Sequence, residues 1–343
     1  LDNLRYTKSA FTYTNYLFLS LLFETKPMAT VLITGGTGLI GKALTKALVN
    51  RGHDVIILTR DKSKEKDSNK IYHAEWNIKK QTIDRDAIHR ADFIVHLAGA
   101  NVAEKPWTKK RKREIVDSRV KSASLLIKAL ETPNKVKAVI SASAIGWYGP
   151  DDLTPNSTAL GEERRSFIET DPPANDFLGA TCRQWESSIQ PVVELGKRLV
   201  ILRTGIVLSN EGGAYAEFKK YLNFGIATIL GNGKQVISWI HIADLVRLYI
   251  EAIENDKLHG IYNAVAPNPV TNKTLVLEMA KQLNKFHVPI PVPSFALKTV
   301  LGEMSIEVLK STTVSSEKIE STGFQFMFLD IETAVYNLIK KAS

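Results

Sequence analysis

The stretch ITGGTGLIG, residues 33–41, decides how the rest of this chain is read. It continues an apolar run, TVL, and leads into LIGKALTKALVNRG, where apolar residues recur at helical spacing and Gly52 ends the pattern. Gly35, Gly38 and Gly41 therefore stand three residues apart between a strand and a helix. At that spacing the first glycine lets the chain turn tightly and the second lets backbone approach a pyrophosphate. The third lets helix and strand pack closely. Around them Thr37, Leu39 and Ile40 place free amides at the positive end of the helix, where a phosphate anion is favoured. The stretch predicts a dinucleotide-binding turn; a structural glycine turn without a ligand is the alternative.

Outward from this turn the pattern alternates. DVIILTR, KIYHAEW, ADFIVHLAG, KAVISASA and RLVILRTG read as further strands, separated by helical segments, which implies parallel βαβ units in a doubly wound α/β sheet of Rossmann type. After about Gly205 the rhythm changes to glycine-containing loops (SNEGGAY, ILGNGKQ), short strands such as QVISWIH and a helix over 242–255. Residues 28–205 are expected to form the nucleotide-binding domain, and 206–343 a smaller C-terminal substrate lobe, with a strand near 259–265 returning to the sheet. Residues 1–27 hold a short apolar stretch, YLFLSLLF, without a good cleavage site, and read as an extension outside the fold.

Composition narrows the function. Of 343 residues 44% are hydrophobic and 24% charged, as in an ordinary globular protein, and the net charge of +9 favours anionic ligands without itself indicating nucleic acid. The basic run KPWTKKRKRE, residues 105–114, reads as the solvated first turn of a helix, because EIVDSRVKSASLLIKAL continues it with helical periodicity. No nucleic-acid partner is expected. The one cysteine, Cys182, excludes an intrachain disulfide and a multi-cysteine metal site, and the histidines show no metal-ligand spacing. No apolar run reaches the roughly 18 residues of a membrane span. The cytoplasm is the expected location, or an organelle if residues 1–27 are a targeting segment. Monomer and homodimer both stay open.

About 20 residues past the glycine turn, dinucleotide sites choose their cofactor at the end of the second strand. An acid there accepts the ribose hydroxyls and repels a 2′-phosphate. This chain has Thr59 and Arg60, with Lys62 close by. Arginine pairs bidentately with phosphate, so NADP(H) is expected over NAD(H), although Asp61 stands one position away as a competing carboxylate.

Together with HLAGAN (96–101), SASAIGWYG (141–149), LRTGIVL (202–208) and WIHIADL (239–245), the turn resembles the extended short-chain dehydrogenase/reductase superfamily, in its NAD(P)-dependent epimerase/dehydratase group. WTKKRKREIVDSRVKS, CRQWE, GNGKQVISWIHIADL and the late GFQF narrow the resemblance to a subfamily of uncharacterised NADP-binding epimerase-like oxidoreductases, over about residues 29–340. The resemblance implies a bound nicotinamide dinucleotide and a small-molecule substrate. It implies that Leu97, Ala98 and Gly99 line the cofactor ribose, that Asn77 meets the adenine, and that Ser143 bonds the reacting carbonyl or alcohol.

In the superfamily a tyrosine transfers the proton, and a lysine four residues later lowers its pKa. With Glu186 as the register mark, those positions fall on Leu178 and Cys182, and an asparagine of the proton relay falls on Arg119. Two residues are candidates to compensate: Arg119, as anchor for an anionic group or an oxyanion, and Tyr148, as the acid. The chain lacks the G-x-S-x-G elbow of a serine hydrolase. The expectation is an NADP(H)-dependent oxidoreductase or epimerase-like enzyme acting on a small polar metabolite, possibly anionic in character; a dinucleotide-binding sensor or scaffold that has lost catalysis is the alternative.

Overall fold

The computed structural model describes residues 28–64, 66–151, 165–284 and 286–340; the expectation for residues 1–27 lies outside them. In chain order the first half contains β1 (Thr30–Thr34), α1 (Leu39–Asn50), β2 (Asp54–Thr59), β3 (Ile71–Asn77), β4 (Thr82–Ile83), α2 (Arg85–Arg90), β5 (Phe93–His96), α3 (Lys109–Leu130), β6 (Ala138–Ala144), α4 (Phe177–Ile189) and β7 (Arg198–Thr204). The second half continues with β8 (Ile206–Leu208), α5 (Gly213–Leu222), β9 (Ile226–Leu230), β10 (Val236–Ile237), β11 (Trp239–His241), α6 (Ile242–Glu254), β12 (Gly260–Ala264) and β13 (Val270–Thr271). It ends with α7 (Asn272–Gln282), β14 (Val288–Val292), α8 (Ser294–Leu301), α9 (Ser305–Leu309), α10 (Glu317–Glu320) and α11 (Ile331–Lys340).

Eight strands form one sheet in the order β12-β7-β6-β5-β1-β2-β3-β4, parallel throughout except for the short antiparallel edge strand β4. β1 explains why such strands read as unbroken apolar runs. Val31 and Ile33 point into the core shared with α1 and α6, while Leu32 points into the core on the opposite face, with Leu126 of α3 and Ile189 of α4. Both faces are covered, which is the doubly wound α/β arrangement expected from the alternation. Strand order reverses at β1, between β2 and β5, and the crevice beyond the carboxyl ends of these strands is where such sheets take ligands.

The remaining short strands pair in twos, β8 with β11, β9 with β14 and β10 with β13, around a separate apolar cluster that includes Leu208, Tyr215, Trp239, Leu275 and Val335. β12 leaves this region and joins the large sheet beside β7. No helix among the described residues is long and apolar enough to cross a membrane.

The basic run begins α3, but its first turn is not simply solvated. Arg111 is only 5% exposed and pairs with Glu104 at 2.9 Å and Glu114 at 2.8 Å, while Lys112 pairs with Glu303 of the C-terminal segment. Two of the cations that made the run conspicuous are thus paired with carboxylates of the same molecule.

Candidate cofactor and substrate site

Helices α2, α3, α4, α6 and α7 all start on a side chain that accepts an amide hydrogen: Asp84, Thr108, Asp176, His241 and Thr271. α1 does not. Its N-cap is Gly38, which has no side chain to offer; Thr37 and Gly38 are exposed, and Leu39 and Ile40 are half-buried. The turn that precedes it is shaped by backbone crowding. A Cβ on Gly41 would stand 2.4 Å from the Gly35 carbonyl oxygen, and one on Gly35, whose φ is +71°, would stand 2.9 Å from the backbone of Leu97. Gly36, which the three-residue spacing passes over, is equally constrained: its Cβ would lie 2.8 Å from the Ile57 side chain. A pyrophosphate fits this cradle, since it brings acceptors to amides that the protein itself leaves without a cap.

At the end of β2, Arg60 is exposed and has no hydrogen bond or ion pair among the described residues. Asp61, the competing carboxylate, accepts at Oδ1 from the Ser63 amide at 3.1 Å and from the Ser63 hydroxyl at 2.5 Å. Thr59 makes a long contact from its hydroxyl to the Asp61 backbone, and Lys62 lies exposed just beyond. Asn77 closes a turn through Oδ1, which accepts from the amides of Lys79 and Lys80 at 3.1 and 3.0 Å; its amide hydrogens are left for another partner.

Leu97, Ala98 and Gly99 form the turn after β5, and a chain of hydrogen bonds fixes them. The amides of Leu97 and Ala98 both donate to Thr34 Oγ1 at 3.1 Å, so the Thr34 proton goes to His96 Nδ1 at 2.8 Å. The ring proton of His96 must then be on Nε2, facing Ser122 Oγ at 3.3 Å, and Ser122 donates onward to the Arg119 carbonyl at 2.9 Å. Burial and, after it, the Arg119 charge hold the His96 pKa down at about 3, so the ring stays neutral as this chain requires.

Arg119 lies on the far side of this turn. Its Nη1 donates to the carbonyls of Ala100 at 3.1 Å and Ile115 at 2.9 Å, and its guanidinium carbon is 4.7 Å from the centre of the Trp185 ring. Gly99 makes room for it, since a Cβ there would stand 3.0 Å from Cζ. The wall opposite comes from α4. A Cβ on Gly146 would touch Leu178 at 3.2 Å, and the buried Cys182 donates to the Ala144 carbonyl at 3.7 Å. Burial pushes the Cys182 thiol up to about 12, which leaves it unreactive as a thiolate.

Ser143 and Tyr148 take other positions than the sequence suggests. Ser143 is 3% exposed and donates inward to Glu186 Oε1 at 2.6 Å, so its proton is committed to a carboxylate and not to a substrate. Glu186 is in turn held by Arg203 through two bonds of 2.9 Å, from Nε and Nη2. Arg203 stacks on Trp147 at 3.7 Å and donates to the Tyr148 hydroxyl at 3.0 Å. That hydroxyl donates to Asn263 Oδ1 at 2.7 Å. Tyr148 is fully buried, and its phenol is pushed up to about 12, chiefly by burial. It is a strut of the cluster rather than an acid facing the cleft. Sequence could not have joined residues 143, 148, 186, 203 and 263, which only the sheet order brings together.

Among the described residues no group of His, Cys, Asp and Glu could hold a metal ion. Among the described residues the carboxyl end of the sheet thus carries the glycine turn before α1, an exposed Arg60 without a partner, and a wall of Leu178 and Cys182 with Arg119 near it.

Comparison with known proteins follows the same lines. Residues 31–173 match the model of the NAD dependent epimerase/dehydratase family, and 292–338 match a domain of unknown function, DUF1731. An epimerase family protein of Staphylococcus aureus is 35% identical over 92% of this chain and all of its own length. The human epimerase family protein SDR39U1, solved with NADPH, superposes with a TM-score of 0.77 at 28% identity, over 91% of this chain and 99% of that one. A nucleoside-diphosphate sugar epimerase from Corynebacterium glutamicum gives a TM-score of 0.69 at 31% identity, over 93% of this chain but 60% of its own.

Proposed function

This chain belongs to the NAD dependent epimerase/dehydratase family, and we propose that within it the protein is an NADP(H)-dependent oxidoreductase or epimerase-like enzyme acting on a small polar metabolite. The observation that carries the reading is the uncapped start of α1 in its glycine cradle, together with an exposed Arg60 that has no partner among the described residues. The amides of Leu39 and Ile40 hold the pyrophosphate, while that of Gly38 donates to the Gly35 carbonyl at 3.0 Å and closes the turn, and Arg60 meets the 2′-phosphate. The turn at Leu97, Ala98 and Gly99, held by Thr34 and His96, lines the ribose next to the nicotinamide. Bound in this way the dinucleotide supplies the redox chemistry, and the protein contributes position and electrostatics. Ser143 acts on the site through Glu186 and α4, and, with Tyr148 sealed among Arg203 and Asn263, water supplies the proton.

The test is a calorimetric titration of the protein with NADPH and then NADH, repeated on Arg60→Ala. NADPH is expected to bind at least about tenfold more tightly than NADH, and the variant to lose most of that preference, in line with a charge-assisted hydrogen bond of about 1.5–3 kcal/mol. If neither nucleotide binds, the glycine turn is structural and the reading falls.

A second reading, a dinucleotide-binding sensor without catalysis, is favoured by Leu178 and Cys182 on the α4 wall and by the sealed Tyr148. It predicts cofactor binding with no oxidation of NADPH by any carbonyl compound offered, and a change in protein partners when cofactor is added.

A further inference from the structure

Buried arginines near the cleft are compensated in two cases. Arg203 holds Glu186 bidentately, and Arg111 holds Glu104 and Glu114. Arg119 differs. Its Nη1 is used by the backbone carbonyls of Ala100 and Ile115, and no carboxylate pairs with it among the described residues. Nor is one nearby free to do so, because both oxygens of Glu186 are engaged by Arg203 and Ser143.

A charge partly withdrawn from water without a counterion is costly. Burial draws the Arg119 pKa down to about 10, and the neighbours that act on it electrostatically are Cys182 and Arg111, neither of them a permanent anion. The surroundings nonetheless keep it in place. Ser122 holds its backbone, the Trp185 ring supports one side of the guanidinium, and Gly99 leaves the space a side chain would fill. Its Nε and Nη2 hydrogens have no acceptor among the described residues, in a residue that keeps part of its surface open.

We propose that Arg119 binds an anionic group, a carboxylate or a phosphate, of the small molecule that enters the cleft, so that α3 supplies the positive charge at a wall where α4 presents Cys182. This deepens the function proposed above and rests on it. The cofactor's pyrophosphate is the other anion available, but its seat is the start of α1, whereas Arg119 lies beyond Gly99 against α4. The substrate class that follows is a small carboxylic acid or phosphate ester, not a neutral sugar or alcohol.

The experiment uses the full chain as wild type, Arg119→Gln and Arg119→Lys. Each is titrated with NADPH. Each is then titrated with oxalate, inorganic phosphate and neutral acetamide, with and without saturating NADPH, at constant ionic strength, and followed by tryptophan fluorescence and melting temperature. Wild type is expected to respond to oxalate or phosphate and not to acetamide. Arg119→Gln should lose at least about tenfold in anion affinity, Arg119→Lys less, and all three should bind NADPH within about twofold of one another. An anion response unchanged in Arg119→Gln overturns the proposal, as does a loss confined to NADPH, which would assign the charge to the cofactor. If Arg119→Gln does not fold, wild type and Arg119→Lys decide: a wild-type protein that does not distinguish anions from acetamide overturns the proposal. If no nucleotide binds to wild type, the proposed function fails separately, and the titrations without nucleotide still decide the role of Arg119 by the same criteria.

Discussion

His96 shows how one buried residue couples the site to solution conditions. Its pKa in the folded protein, about 3, lies well below the 6.5 of an unperturbed histidine. Between those values the unfolded chain binds the extra proton and the folded one does not. The contribution of His96 is therefore complete above about pH 6.5 and is lost as pH falls, with a slope of up to about 1.4 kcal/mol per unit. Urea midpoints taken between about pH 7 and about pH 5 should show this slope, and His96→Asn should flatten it. A second residue-scale prediction concerns Gly41. Its alanine variant drives a Cβ into the Gly35 carbonyl and Gly36 Cα, at 2.4 and 2.6 Å, and should cost about 1–3 kcal/mol by chemical denaturation, where Gly→Ala in an ordinary helix would stabilise. Gly35, Gly38 and Gly41 were legible in the sequence because their spacing is a local property of one turn. Gly36 was not, since what constrains it is Ile57 on the next strand, and Arg119 could be named but not told apart from a surface arginine.

At the scale of elements, α1 starts on a glycine without a side-chain cap, directly after the crowded turn of Gly35 and Gly36. Gly38 has an extended backbone, φ −77° and ψ 177°, that any residue adopts, and its Cβ would come no closer than 3.2 Å to the Gly35 carbonyl oxygen. Gly38→Asp would therefore supply the missing cap, roughly offsetting the tighter contact, while placing a carboxylate where the pyrophosphate belongs. Stability within about 1 kcal/mol of wild type, combined with at least about tenfold weaker NADPH binding, is expected; equal losses in both would mark the glycine as merely structural. The strands of the sheet were readable because parallel strands buried on both faces are continuous apolar runs, as in TVLIT and DVIILT. The small pairs of the second lobe, such as β10 with β13, are only two residues long and carry no period to read. α4 was found as a helix, but the direction in which Ser143 points was not, because that is set by Glu186 on α4 and Arg203 on β7.

For the whole molecule, the cluster of Ser143, Glu186, Arg203, Tyr148 and Asn263 is the joint between the sheet and the C-terminal segment. Asn263 reaches the Ser315 carbonyl, and its amide donates to Glu169, so the joint draws on β6, α4, β7 and β12 together with the loop before α4 and the stretch before α10. Glu186→Gln leaves Arg203 buried without its counterion and should cost about 3–5 kcal/mol. The ion pair of Lys112 with Glu303 also spans the two parts of the chain, but both partners touch solvent, and Glu303→Gln should cost less than about 1 kcal/mol. A contrast of that size in melting curves locates the joint in the cluster; equal effects would contradict it. The measurement that tests this account most directly is a crystal structure of the protein grown with saturating NADPH. The account predicts the pyrophosphate on the amides of Leu39 and Ile40, the 2′-phosphate against Arg60, and the nicotinamide ribose over the turn at Leu97, Ala98 and Gly99. Nucleotide lying elsewhere, or a cradle still empty at saturation, would contradict it.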